Sequence, residues 1–128
     1  MNTEVLESNF NKANNFKDLP NGVAGLIEKN KDATFYGIAS GRSMEGVGIF
    51  DGDLLIIDRS VDVKQGDVIV AAYSGVFVCK IADLKNNLLL SDSVEYPPVK
   101  VTKHDEYLFE GVVISSVRMH RGNIKEKL

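Results

Sequence analysis

Cysteine is nearly absent from this chain of 128 residues: Cys79 stands alone. A single thiol excludes an intramolecular disulfide framework, and a reducing, cytoplasmic compartment fits such a chain. Histidine is as scarce, with only His104 and His120. The chain therefore holds too few ligands for a Cys/His zinc site, and neither a metal nor a cofactor is expected. Basic charge is not in excess: 15 Lys and Arg against 18 Asp and Glu leave a net charge of −3. That balance argues against a protein whose main task is coating DNA. No run approaches the ~18 apolar residues that a bilayer crossing needs. Residues 1–17 carry no apolar signal-peptide core, so neither a membrane anchor nor export is expected. Internal repeats and low-complexity tracts are missing too.

What remains is an ordinary globular balance, with 44% hydrophobic and 26% charged residues, and a length that suits one domain. Residues 1–17 are rich in Asn, with scattered Val5, Leu6, Phe10 and Phe16. Such a composition does not repay its own ordering entropy, so it reads as a flexible N-terminal arm. After a turn at Asp18–Asn21, the apolar residues Leu19, Val23, Leu26 and Ile27 recur at helical spacing. They predict one short amphipathic helix ending near Lys29–Asp32.

From Ala33 the period changes to that of strands. Thr34–Ile38, Asp53–Asp58, Asp67–Tyr73, Val76–Ile81, Leu88–Ser91 and Tyr107–Val117 read as β-strands between Gly, Asp and Asn turns. Asp53–Asp58 is apolar on both faces and is expected to be buried on both. Ser74-Gly75 is a hairpin signal, and Gly111 marks a bulge or bend. The expected fold is mainly β, a coiled β-sheet or barrel-like domain with a short N-terminal helix. The expected organisation is the arm at 1–17, the β domain at 18–118, and a basic tail at 119–128; from Arg118 onward the chain is expected to fray.

Two short stretches carry candidate chemistry. In Gly41-Arg42-Ser43-Met44 a serine sits beside a glycine in a turn, where it can be an exposed nucleophile or simply part of the turn. It is not a Gly-X-Ser-X-Gly elbow, because Glu45 stands where that pattern needs glycine. A histidine triad has no support, since His104 lies in the charged run 103–106 and His120 in the basic tail. Lys80 interrupts an apolar strand and shares a face with Val76 and Val78. The plain readings are an edge-strand lysine that guards against aggregation, or one whose stem packs while its amine reaches solvent. The sharper reading is a desolvated lysine. Burial disfavours the ammonium form, and a neutral amine serves as a general base with no histidine present.

The run from Ala33 through Ser40–Met44 to Gly48–Asp58 resembles the LexA/UmuD family of Ser–Lys autopeptidases. So do Gly66–Ala71, Gly75–Lys80 and Gly111–Ile114. Lys80 follows Ser43 by 37 positions, which agrees with the family's spacing. The resemblance implies the family's C-terminal-type β fold, Ser43 as nucleophile and Lys80 as the neutral base within hydrogen-bond reach of it. It further implies an oxyanion site at the Gly41–Ser43 turn, formed by the Ser43 amide and a neighbouring one. Arg42 belongs to this turn, and Met44 packs beneath the nucleophile. The likeness is nearest to the UmuD branch, accessory proteins of an error-prone DNA polymerase in the SOS response to DNA damage. It implies a homodimer, a UmuC-like catalytic partner, and contact with the RecA–single-stranded-DNA filament. About 30 residues precede the first strand, so no helix-turn-helix domain and no sequence-specific DNA binding are expected.

One feature departs from the family. Its members cut their own chain before a glycine, at a distance that here falls near Ser8, yet no glycine precedes Gly22. Ala24-Gly25 has suitable chemistry but lies at about half that distance and inside the expected helix, so it reads as helix packing. A naturally short active form, a chain beginning near the cut, and cleavage of a partner chain or of another bond in the arm remain open. Two other classes stand beside the peptidase: a non-catalytic subunit that only binds polymerase and RecA, and a phage-type repressor fragment.

Overall fold

A computed structural model describes residues 19, 21–93, 95, 98–100 and 107–128. The expected arm at 1–17 and His104 lie outside the described residues. Helix α1 (Gly22–Ile27) leads through a 3₁₀ turn (Lys31–Ala33) into β1 (Thr34–Ile38). There follow β2 (Leu54–Asp58), β3 (Val68–Tyr73), β4 (Val76–Asp83), β5 (Leu88–Leu90), β6 (Val99–Lys100) and β7 (Tyr107–Val117). These strands form one antiparallel sheet in the order β1-β2-β7-β3-β4-β5-β6. The mainly-β expectation holds, and six of the strands coincide with the runs read from the sequence.

The turn chemistry sets the register. Ser74 and Gly75 have φ of 50° and 78°. Both central residues therefore take the left-handed conformation that a two-residue hairpin uses to match strand twist. Tyr73 pairs with Val76 across it. Between β4 and β5, Asp83 accepts from Asn86 Nδ2 at 2.8 Å and from Gln65 Nε2 at 2.8 Å, which ties the turn to the preceding loop.

Strand β7 lies between β2 and β3, and its register slips twice: at Ile56/Ile57 of β2 and at Val70/Ala71 of β3. The second slip skips Glu110, beside Gly111, so the expected irregularity is present. A Cβ on residue 111 would stand 2.6 Å from Ile57 Cγ2 and 3.0 Å from the Asp58 carbonyl oxygen. Glycine here lets β7 close on β2.

Strand alternation divides the core. Leu55, Ile57 and Val70 cluster with Met44 and Ile49 on one face, with Cys79 and Ile81 packed against them. Ile69, Ala82, Leu89 and Val112 cluster on the other. Every residue of β2 from Leu55 to Asp58 is buried, as its apolar run predicts.

Two expectations are corrected. Helix α1 has helical spacing but buries none of its residues; Val23 is 64% and Leu26 55% exposed. Its apolar stripe is too short, at six residues, to cover the sheet. Nor does the chain fray from Arg118. Arg118 donates through Nε and Nη2 to both carboxylate oxygens of buried Asp53, each at 2.8 Å. Ile124 is buried in a final 3₁₀ turn (Ile124–Lys127), which Asn123 caps by accepting from the Glu126 amide. A basic composition hid a charge that pairs inside the fold.

Three buried acids are fully engaged. Asp53 is held below the ordinary value of 3.8 first by Arg118, against the opposing effect of burial. Asp58 is lowered by Ser60 and Asn30, and Asp83 by Asn86 and Gln65. The unfolded chain takes up these protons near the ordinary carboxyl value, and the folded chain only further down. The stability they confer is thus fully present above about pH 4 and is lost as pH falls through the folded values.

Gly111→Ala destabilises the protein by roughly 1–3 kcal/mol in urea unfolding through overpacking, while Ser116→Ala, on an exposed position of the same strand, stays within about 0.5 kcal/mol. The urea midpoint is flat from pH 7 to 5 and drops below about pH 4. Asp53→Asn lowers the melting midpoint at neutral pH by roughly 5–10 °C and removes part of that acid dependence.

Candidate active site

The segment between β1 and β2, residues 39–53, carries Ser43. Its base continues the β1–β2 ladder: the Ala39 amide donates to the Asp53 carbonyl at 2.9 Å, and the Gly52 amide to that of Ala39 at 2.8 Å. Asp53 also accepts from the Phe50 amide at 2.9 Å. Arg118 reaches the Gly48 carbonyl at 2.8 Å, and its guanidinium lies 4.2 Å from the centre of the Phe50 ring. Met44, only 3% exposed, plugs into the core beside Ile49. Ser43, next to it, remains half-buried.

The segment is also tied across the sheet to the residue after Ser91. The Asp92 amide donates to the Ser43 carbonyl, and the Gly46 amide to the Asp92 carbonyl, both at 2.8 Å. A side chain at 46 would collide with the Asp92 carboxyl, whose Cγ stands 2.3 Å from an ideal Cβ.

Strand β4 supplies Lys80. It lies between β3 and β5, and Lys80 stands one residue before the ladder with β5 begins. Its side chain is half-buried. Ser43 and Lys80 both line one cavity of about 160 Å³, together with Ser40, Gly41, Met44 and Phe77–Cys79. The two residues separated by 37 positions in the chain thus meet in one pocket. Lys80 Nζ donates to Ser91 Oγ at 2.7 Å. The expected direct bond from Lys80 to Ser43 Oγ is not formed in this arrangement. The Ser91 bond follows from the register: Ile81 pairs with Leu90, so the next antiparallel position sets Ser91 opposite Lys80. Catalytic hydrogen bonds commonly close only with substrate bound.

The turn residues have separate fates. Gly41, at φ 88°, donates its amide to Asp51 Oδ1 at 2.9 Å. The Ser43 amide makes no hydrogen bond to the described residues and stays available. Arg42 points outward, paired with Glu45 at 2.6 Å; an exposed pair of this kind contributes little. Ala24 and Gly25 sit inside α1, where the Gly25 amide donates to the Asn21 carbonyl at 3.2 Å. His120 is exposed on the tail and is not among the cavity residues.

Cys79 shares the cavity but not its chemistry. Burial pushes its thiol up to about 11, against the opposing pull of Lys80, and a protonated thiol is a poor nucleophile. A second cavity of about 380 Å³ adjoins the first through Ala39, Ser40 and Phe77–Cys79. It runs between β1 and β4 over an apolar floor of Leu55, Ile57 and Val70. Its lining is mostly apolar. Among the described residues no group of three His, Cys, Asp or Glu side chains is placed to hold a metal ion, and no helix is long and apolar enough to cross a membrane.

Ser91 is the residue that the sequence reading missed. Its signal was present but indirect: a strand after the Asn86-Asn87 turn must return alongside β4, and its end then faces Lys80.

Comparison with known proteins agrees with this architecture. A family model described as Peptidase S24-like matches residues 4–114. The chain is 33% identical over 82 residues to the LexA repressor of Bordetella avium, a match covering 62% of this chain and 38% of that protein. It is 34% identical over 82 residues to the LexA repressor of Alteromonas mediterranea, covering 62% and 39%. The chain spans about two fifths of the length of these relatives. With a matching family model over most of its length and an antiparallel β domain that gathers Ser43 and Lys80, the chain belongs to the Peptidase S24-like family, the LexA/UmuD group of Ser–Lys peptidases.

Proposed function

We propose that the chain is a Ser–Lys autopeptidase of UmuD type. In this reading it acts in the cytoplasm as an accessory subunit of an error-prone, UmuC-like DNA polymerase in the SOS response. It works as a homodimer, and contact with the RecA–single-stranded-DNA filament promotes its cleavage reaction. The observation that carries the reading is the shared cavity of Ser43 and Lys80, joined to a peptide-sized groove between β1 and β4.

The chemistry needs only these residues. Lys80 Nζ, as the neutral amine, takes the proton of Ser43 Oγ while Oγ attacks the scissile carbonyl carbon. The Ser43 amide donates to the oxygen that becomes negative. Lys80 then returns the proton to the leaving amine as the C–N bond breaks, leaving an ester on Ser43. Water, deprotonated by the same amine, hydrolyses that ester and restores both groups.

The substrate is an extended segment. The bond between Ala24 and Gly25 is held in a helical turn, which supports the view that it is not the one cut. An extended bond elsewhere in the arm, or on a partner chain, fits the groove better. A second reading, a repressor-type chain whose peptidase domain serves as a regulatory switch, draws support from the relatives named LexA repressor.

Incubation over a series of rising pH values tests the activity. The wild type cuts its own arm or an added extended peptide at a rate that rises with pH. Ser43→Ala and Lys80→Met each lower that rate at least ~100-fold, and Lys80→Arg does the same because guanidinium stays protonated. Mass spectrometry locates the cut outside residues 22–27. Equal cleavage by the wild type and Lys80→Met would remove the dyad mechanism.

A further inference from the structure

We propose that Ser91 is a positioning residue for the general base: its hydroxyl holds the Lys80 amine inside the cavity and aims it at Ser43. This rests on the Ser43–Lys80 reading and adds a third side chain to it.

The argument starts from donors and acceptors. A neutral amine has two N–H bonds and one lone pair. To act as a base it must present the lone pair to Ser43 Oγ, which leaves its N–H bonds for other acceptors. Lys80 Nζ donates to Ser91 Oγ at 2.7 Å, and no other acceptor for Nζ occurs among the described residues. A lysine side chain has four rotatable bonds and a large rotamer entropy. Without an anchor, the amine would spend only part of its time at the nucleophile. One N–H bond on Ser91 restrains the amine and leaves the lone pair uncommitted.

The backbone makes this anchor effective. Ser91 is fixed opposite Lys80 by the β4–β5 register. Its neighbour Asp92 is bonded through its amide to the Ser43 carbonyl and through its carbonyl to the Gly46 amide. A single dipeptide therefore grips the nucleophile's loop with its backbone and the base with its side chain. Any displacement of this strap moves both partners together, which keeps their spacing. The strap's backbone bonds do not involve the Ser91 hydroxyl, so removing that hydroxyl releases the base while leaving the loop attached.

Two measurements on Ser91→Ala and Ser91→Thr test this. The first is the rate at which a fluorophosphonate probe labels Ser43, located by mass spectrometry. The second is the NMR order parameter of the Lys80 Cε methylene. Ser91→Ala is expected to slow labelling ~10–100-fold, the scale of a misplaced catalytic group. It should also lower the Lys80 order parameter, with the melting midpoint close to wild type. Ser91→Thr, which retains a hydroxyl, restores both. Labelling and order that are unchanged in Ser91→Ala overturn the positioning role alone and leave the dyad intact. A loss in Ser91→Ala that Ser91→Thr does not restore also overturns it, as the effect is then one of packing. A wild-type protein that the probe does not label at Ser43 overturns the peptidase reading, and the positioning role with it.

Discussion

The bond between Asp53 and Arg118 closes the structure around its candidate site. Asp53 immediately precedes β2, Arg118 follows β7, and both carboxylate oxygens accept from the one guanidinium. That guanidinium also holds the Gly48 carbonyl and lies over Phe50. The fifteen-residue connection between β1 and β2 is thereby clamped at its return end. Without this clamp, a loop containing Gly41, Gly46, Gly48 and Gly52 would have wide backbone freedom. Met44 anchors the middle of the loop in the core, and Asp92 anchors its flank. Ser43 sits between these points. The chain places Ser43, the proposed nucleophile, on a glycine-rich loop and then removes most of the freedom that glycine brings.

Lys80, the proposed base, is positioned by a different device. Lys80 is paired with Ile69 of β3, one residue before the β4–β5 ladder begins at Ile81. The groove between β1 and β4 adjoins the cavity that this residue lines. The apolar floor of that groove is the same set of β2 and β3 side chains that forms the core. Stability and substrate access draw on one set of residues, so a change at Ile57 or Val70 affects both.

Much of this was legible in the sequence, and for local reasons. Strand runs, the Ser74-Gly75 hairpin and the Gly111 irregularity depend on nearest neighbours and on period. The pairing of Ser43 with Lys80 is an implication of the family resemblance, and both residues line one cavity. What escaped was set by long-range register or by the partner of a single charge. The two-residue strand β6 has almost no sequence of its own to read. The Lys80–Ser91 bond follows from the alignment of two strands across a turn. The Gly41 amide is bound by an aspartate ten positions on, which no pattern in the turn announces. Arg118 looked like part of a basic tail because its acid, Asp53, lies 65 positions away. The helix error ran the other way: the spacing of Val23, Leu26 and Ile27 was right, but amphipathic spacing does not guarantee a surface to cover.

The central claim is that Ser43 and Lys80 act as one chemical unit within a frame that already brings them to the same cavity. A crystal structure of the protein with a peptide boronate tests it most directly, since the boron mimics the tetrahedral carbon of the reaction. The account predicts boron bonded to Ser43 Oγ, with Lys80 Nζ about 2.6–3.2 Å from that oxygen and the peptide extended between β1 and β4. A boronate bound to another residue, or a Lys80 amine turned away from the adduct, would contradict it.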